Sequence, residues 1–183
     1  PTNIIVIWMS AAVVFCCICM AVPLMHLVPL AQDRSISIEN AGSIVFVMLI
    51  AGVAGRLVFG KLADHIGAIR SYWLASFWQT VLVAVFLQFE TLNGFYTFAV
   101  VYGFGYGGVM TGILVCMRVL TPVARRASAL GIVLFFAWLG HAIGGYQGGL
   151  VFDFTGNYTW AYVNAAIAGA INLIIVAALY MRV

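Results

Sequence analysis

Charged side chains are scarce in this sequence, and their scarcity decides the class of protein. Only 7% of the 183 residues are charged, whereas 65% are hydrophobic. A soluble domain carries about 25% charged residues, because water must solvate its surface. The composition therefore excludes a water-solvated globular protein and indicates a chain whose exterior faces lipid.

Other absences exclude several functions. The net charge of +3 arises from eight basic and five acidic residues, which is too few for a nucleic-acid surface. Cys16, Cys17 and Cys19 lie in one apolar run and Cys116 in another, so we expect buried thiols and no disulfide framework. The three histidines lack metal-ligand spacing, and no nucleophile with a base or phosphate loop is evident. We therefore expect no enzyme, cofactor or metal site.

Long apolar runs divide the chain into predicted membrane-spanning helices. A bilayer core of about 30 Å needs about 20 apolar residues in a helix, whereas a barrel would show alternating segments of about ten. Backbone groups in hydrocarbon must also be bonded internally, which helices achieve. The predicted spans are residues 3–30, 38–61, 70–89, 92–120, 127–152 and 158–181.

The basic residues predict the orientation. Lysine and arginine concentrate on the cytoplasmic side of membrane proteins. One set of helix ends carries a single basic residue, Arg34. The opposite set, which we call the basic end, carries Lys61, Arg70, Arg118, Arg125, Arg126 and Arg182. Both termini are therefore predicted to be cytoplasmic.

The connection between the second and third spans carries a recognisable motif. Residues 60–70 read G-K-L-A-D-H-I-G-A-I-R. A tight reversal between packed helices would use Gly60 and Gly67 for close approach and positive φ. Asp64 could cap a helix or bind a helix N-terminus, whose dipole favours an anion. The segment resembles the G-x-L-a-D-x-x-G signature of the major facilitator superfamily, in the loop where that family has it.

This resemblance implies a conformational latch. Asp64 would bind the N-terminus of the fifth helix near Arg125 and Arg126, and the contact would break when the cytoplasmic side opens. An ordinary polar turn is the alternative. The latch residues would be Gly60, Asp64, Gly67, Arg70, Arg125 and Arg126.

Three further segments refine the resemblance. Residues 25–33, 55–60 and 144–156 resemble the outer end of the seventh helix, the eighth helix and the end of the eleventh helix of monocarboxylate-transporter-like (oxalate/formate antiporter-like) members. The resemblance implies an all-α membrane fold in which residues 1–183 form a single domain. That domain would be the carboxyl-terminal six-helix half of a twelve-helix transporter, built from two inverted three-helix repeats. One departure is Gly52, where these transporters often carry an acid four residues before the arginine at position 56.

Arg56 is the leading candidate for a substrate-binding residue. It lies in an apolar run, where an arginine at the centre of a span costs about 2.5–3.5 kcal/mol and is rarely idle. Its forked donors suit a carboxylate, and the resemblance implies that it binds the substrate's carboxylate. The alternative is a side chain that reaches the headgroups beside Lys61.

Four other residues are candidates for the same site. His26 lies between Pro23 and Pro29, which we expect to kink the first helix. It either contacts the substrate or takes part in proton coupling, or it simply forms a hydrogen bond with a carbonyl that the prolines have freed. His141 lies at mid-membrane depth beside the glycine repeat 140–144–148, which favours close helix packing, so it either faces the site or is a packed, hydrogen-bonded histidine. Tyr102 and Tyr106 share a helix face and either line a cavity or pack between helices.

Together these features predict a secondary transporter that works by alternating access. The substrate would be a small organic anion, in particular a monocarboxylate, moved with a proton or by exchange. The partners would be an amino-terminal six-helix half and the lipid bilayer of a cell membrane or bacterial inner membrane. The alternatives are a transporter of another small molecule and a six-helix channel. An intramembrane enzyme or a non-transporting scaffold fits the residues less well.

Overall fold

The computed structural model describes residues 2–182 and contains only helices over that range. The α-helices are α1 (Thr2–Asp33), α2 (Ile38–Ile66), α3 (Ala68–Leu82), α4 (Leu92–Leu120), α5 (Arg126–Thr155) and α6 (Thr159–Tyr180). The short 3₁₀ segment Val83–Gln88 continues α3, and a second one, Val123–Arg125, precedes α5. The all-α membrane fold expected from the sequence is confirmed.

Five segments are long and apolar enough to cross a membrane: α1, α2, α4, α5 with its preceding 3₁₀ turn, and α6. The third predicted span, residues 70–89, differs, because the α-helix ends at Leu82 and the chain continues as the 3₁₀ segment Val83–Gln88. At about 1.5 and 2.0 Å per residue, the two pieces together extend about 34 Å, which is comparable to the bilayer core. A sixth crossing by this composite segment stays a prediction.

The helix pairs pack in a crossed pattern. α1 packs mainly on α5 and α6, whereas α4 packs mainly on α2 and α3. If α1–α3 and α4–α6 are treated as two repeats, each repeat's first helix rests on the second and third helices of the other. Exchanging the repeats leaves this pattern unchanged, as expected for two inverted three-helix units.

Glycines set the closest helix contacts. The predicted seam at Gly140, Gly144 and Gly148 is confirmed, since methyl groups there would collide with α1 at Val14, Ile18 and His26, respectively. Small residues let two backbones approach closely where both surfaces are apolar. The glycine repeat of α5 therefore fixes α5 against α1.

The interior of the helix bundle contains thiols and a few polar groups. All four cysteines are buried and free, as the sequence predicted. The Tyr72 hydroxyl donates a hydrogen bond of 3.1 Å to the Asn172 side-chain oxygen, which joins α3 to α6. Gln79 donates from its amide to the Cys16 carbonyl oxygen at 3.4 Å.

We expect Tyr72→Phe to lower the free energy of unfolding by about 0.6 kcal/mol and by no more than about 1.7 kcal/mol, the range measured for hydrogen bonds between membrane helices. The ring stays packed, so only the bond to Asn172 is lost. Thermal unfolding in detergent measures the change. Tyr146→Phe is the control, since Tyr146 is 73% exposed. Equal stability of the two variants would show that the Tyr72 bond contributes nothing.

Candidate functional site

A groove of about 340 Å³ opens between α1, α4 and α5. Its walls are mostly apolar, and its polar groups are the Tyr106 hydroxyl, the His141 ring and the Cys17 thiol. The apolar lining residues are Leu24, Met25, Met110, Ile113, Leu114, Leu134, Ala137 and Trp138. A concave, largely apolar surface with a few polar groups is typical of a small-molecule site.

Glycines bring α2, which carries Arg56, against α4, which carries Tyr106 of the groove wall. A methyl group at Gly55 would overlap the Phe104 carbonyl oxygen, and one at Gly107 would overlap the Gly52 carbonyl oxygen. The two helix backbones are therefore in direct contact along this seam. Arg56 follows Gly55 on α2, and its guanidinium charge acts electrostatically on the Tyr106 hydroxyl.

The Arg56 side chain is exposed, and no ion pair or hydrogen bond to it occurs within residues 2–182. α2 extends to Ile66, beyond the predicted end at residue 61, so Arg56 lies roughly 6 Å from the helix midpoint at about 1.5 Å per residue. An uncompensated guanidinium at this depth is costly and offers a carboxylate two parallel donors. The arrangement suits capture of an organic anion.

His141 lies in the wall of the groove and is 7% exposed. Its Nδ1 is 3.1 Å from the carbonyl oxygen of Ala137, one turn earlier on α5. The ring centroid is 5.4 Å from that of Trp138, which is also a lining residue. His141 is thus packed and hydrogen-bonded, and it faces the same space as Tyr106.

The other two candidates lie outside the groove lining. The His26 Nε2–H donates to the Gly145 carbonyl oxygen at 2.8 Å, so the accepting carbonyl belongs to α5 and was not freed by the prolines of α1. α1 is continuous through Pro23 and Pro29. Tyr102 is fully buried and packs on Phe86 with ring centroids 5.1 Å apart. Of the two tyrosines that share a face of α4, Tyr106 therefore reaches the groove and Tyr102 lies in the core.

The motif at residues 60–70 contains less loop than the sequence suggested, because α2 extends into it. Residues 60–66 are helical, and the reversal into α3 takes place at Gly67, whose φ is 91°. Positive φ is thus found at Gly67 but not at Gly60, which is helical and has ordinary space around it. The Ser71 hydroxyl donates to the Phe59 carbonyl oxygen at 2.9 Å and holds the start of α3 against α2.

The charged latch residues do not meet within residues 2–182. Asp64 is exposed, and α2 has no substantial packing against α5 over residues 2–182. Arg125 instead donates to the Asn3 side-chain oxygen at 2.8 Å, and Arg126 donates to the Thr121 carbonyl oxygen at 3.4 Å. The predicted contact between Asp64 and the fifth helix is corrected accordingly, because crossed packing places α5 on α1 and α2 on α4.

Arg70 has a partner that the sequence did not suggest. Its Nε donates to the Tyr180 hydroxyl at 2.7 Å, and its guanidinium lies 5.1 Å from the centroid of the Tyr180 ring. This contact joins α3 to α6 at the basic end, on two helices that do not line the groove. Arg70 therefore fastens two helices together at a distance from the groove.

Sequence reasoning also missed the apolar side of the groove. Met25 and Trp138 form part of its wall and are 47% and 71% exposed. A large apolar side chain in a membrane span does not by itself indicate a binding site, because lipid contact and substrate contact favour the same residue types. Only the close approach of α1 and α5 at their glycine seam identifies these side chains as lining.

The fold is that of a polytopic membrane protein with an apolar groove between helices of two repeats. The sequence matches the Major Facilitator Superfamily over residues 7–183, and the chain belongs to this superfamily. Within it the chain is monocarboxylate-transporter-like. The family consists of transporters and not of enzymes.

Several named transporters are similar to the chain. Monocarboxylate transporter 13 of Rattus norvegicus is 30% identical over 156 residues, which cover 83% of this chain and 35% of that protein. Monocarboxylate transporter 11 of Homo sapiens is 30% identical over 154 residues, which cover 78% of this chain and 32% of that protein. The chain thus spans about a third of the length of the curated relatives it matches.

Proposed function

We propose that this chain, residues 1–183, is the carboxyl-terminal six-helix half of a secondary transporter that moves a small monocarboxylate by alternating access. The observation that carries the proposal is Arg56, an exposed cation in a membrane helix with no ion pair over residues 2–182, which acts electrostatically on Tyr106 in the wall of the groove. The names of the similar proteins support the same substrate class.

Different residues bind the two parts of the substrate. The carboxylate binds the Arg56 guanidinium through two charge-assisted hydrogen bonds. The hydrocarbon part of the substrate enters the groove between Met25, Met110 and Trp138, where displacement of water favours binding. Tyr106 lies between these two regions and donates its hydroxyl to the bound anion. An amino-terminal half closes the other side of the site, and the two halves rock against each other.

The basic end faces the cytoplasm, with both termini on that side. Asp64 is exposed there, and in this proposal its carboxylate binds a helix N-terminus of the amino-terminal half, whose dipole favours an anion. This contact closes the cytoplasmic gate and breaks when the gate opens. The other residues of this motif shape the turn and the inner ends of α2 and α3.

The full-length protein in proteoliposomes tests the proposal. We expect saturable uptake of a labelled monocarboxylate such as isobutyrate, faster when unlabelled substrate is inside. Unlabelled isobutyrate should compete, whereas isobutyramide should not, because the amide has nearly the same shape without the charge. Competition by the amide would exclude a carboxylate site, and linear uptake without acceleration by internal substrate would indicate a channel.

A further inference from the structure

The hydrogen bond of His141 fixes which ring nitrogen carries the proton. A carbonyl oxygen only accepts, so Nδ1, 3.1 Å from the Ala137 oxygen, must be the donor. In the neutral ring Nε2 is then an unprotonated acceptor. Within residues 2–182 no hydrogen bond to Nε2 is made, and the ring lines the groove. The structure therefore presents a proton acceptor to the transport site.

The surroundings supply no competing base. The titratable and charged groups that face His141 are Cys17 of α1 and Tyr106 of α4, with Arg56 of α2 close to Tyr106. α6 also packs on α5, and residues 159–180 contain no acid, lysine, arginine, histidine or cysteine; the titratable side chains there are Tyr162, which is fully buried, and Tyr180, which is bonded to Arg70 at the basic end. Every acidic residue lies near a helix end, at positions 33, 39, 64, 90 and 153. Among the side chains that line the groove, His141 is the one whose neutral form offers a basic nitrogen lone pair.

We propose that His141 is the proton-carrying group that couples carboxylate movement to the pH gradient. The inference rests on the proposed function. With the site open to one face, a hydronium ion from the solvent gives a proton to Nε2: an O–H bond breaks, an N–H bond forms and water is left. The carboxylate binds Arg56 at the same time. After the halves rock, both the carboxylate and the proton are released to the opposite face.

Charge balance explains why such a coupling is effective. The empty site carries one positive charge, on Arg56. A carboxylate alone would reduce this to zero, whereas a carboxylate with a proton on His141 restores one positive charge. The loaded and empty sites then carry the same net charge, so one complete transport cycle moves no net charge across the membrane.

His141→Gln in the full-length protein tests the coupling. Glutamine keeps a polar side chain but takes up no proton. In proteoliposomes with an acidic exterior, we expect the wild-type protein to accumulate labelled isobutyrate faster than protein-free liposomes do, toward a limit of about tenfold per pH unit, as one proton per carboxylate allows. The variant should accumulate no faster than protein-free liposomes, while exchange of labelled for unlabelled isobutyrate at equal pH continues.

His65→Gln is a matched control. His65 also places Nδ1 on the carbonyl one turn earlier, Lys61 at 2.8 Å, but it is exposed at the end of α2. We expect it to accumulate and exchange like the wild-type protein. Normal accumulation by His141→Gln would overturn the proposal, and so would loss of exchange, since His141 would then serve binding or folding. Wild-type exchange without accumulation would refute the coupling alone, whereas no wild-type transport would refute the proposed function as well.

Discussion

Arg56→Gln should abolish saturable carboxylate uptake by the full-length protein, and Arg56→Lys should retain part of it. Hydrogen bonds to charged groups contribute about 1.5–3 kcal/mol each, so loss of a bidentate pair corresponds to a decrease in uptake of at least about 100-fold. Lysine keeps the positive charge but not the planar fork. We therefore expect an intermediate decrease for lysine, mainly through a higher KM.

Lys61→Gln is the control for the arginine series. Lys61 lies on the same helix, carries the same charge and is exposed near the basic end. Its neutralisation should leave uptake unchanged, which separates the role of Arg56 from any effect of net charge on insertion. If Arg56→Gln and Arg56→Lys both transport normally, the guanidinium interacts with lipid headgroups and the carboxylate site lies elsewhere.

Much of the fold could be predicted from the sequence because lipid imposes a simple requirement. Each long apolar run had to become a helix, and the predicted α4 span, residues 92–120, coincides with the helix Leu92–Leu120. The seam at Gly140 and Gly144 was also predictable, since a repeat of small residues has few other uses in a membrane span.

The arrangement of the site was less predictable, because it depends on which helices meet. The contact of Asp64 with α5 was expected from a motif, yet the crossed packing separates α2 from α5. Likewise, Tyr102 and Tyr106 are equivalent on a helical wheel, but α4 turns one toward Phe86 and the other toward the groove. Neither distinction is encoded in the periodicity of a single helix.

The same reasoning identifies the glycine on which the site depends most. Gly55→Ala should lower the free energy of unfolding by about 3 kcal/mol, the upper part of the range for overpacked interiors. The added methyl group would meet the backbone carbonyl of Phe104, which cannot rotate away as a side chain could. α2 must therefore move off α4, and Arg56 moves with it, so uptake should fall together with stability.

Gly42→Ala distinguishes this packing effect from a general effect of alanine on the helix. Gly42 lies on α2 with open space around it, so alanine there should stabilise the helix by about 0.5–1 kcal/mol. Because all four cysteines are buried, their reaction with a thiol probe during heating reports unfolding in detergent. The two variants should shift the transition in opposite directions. If the unfolding transitions of the two variants shifted in the same direction by the same amount, α2 and α4 would tolerate separation, and the seam would not hold Arg56 in place.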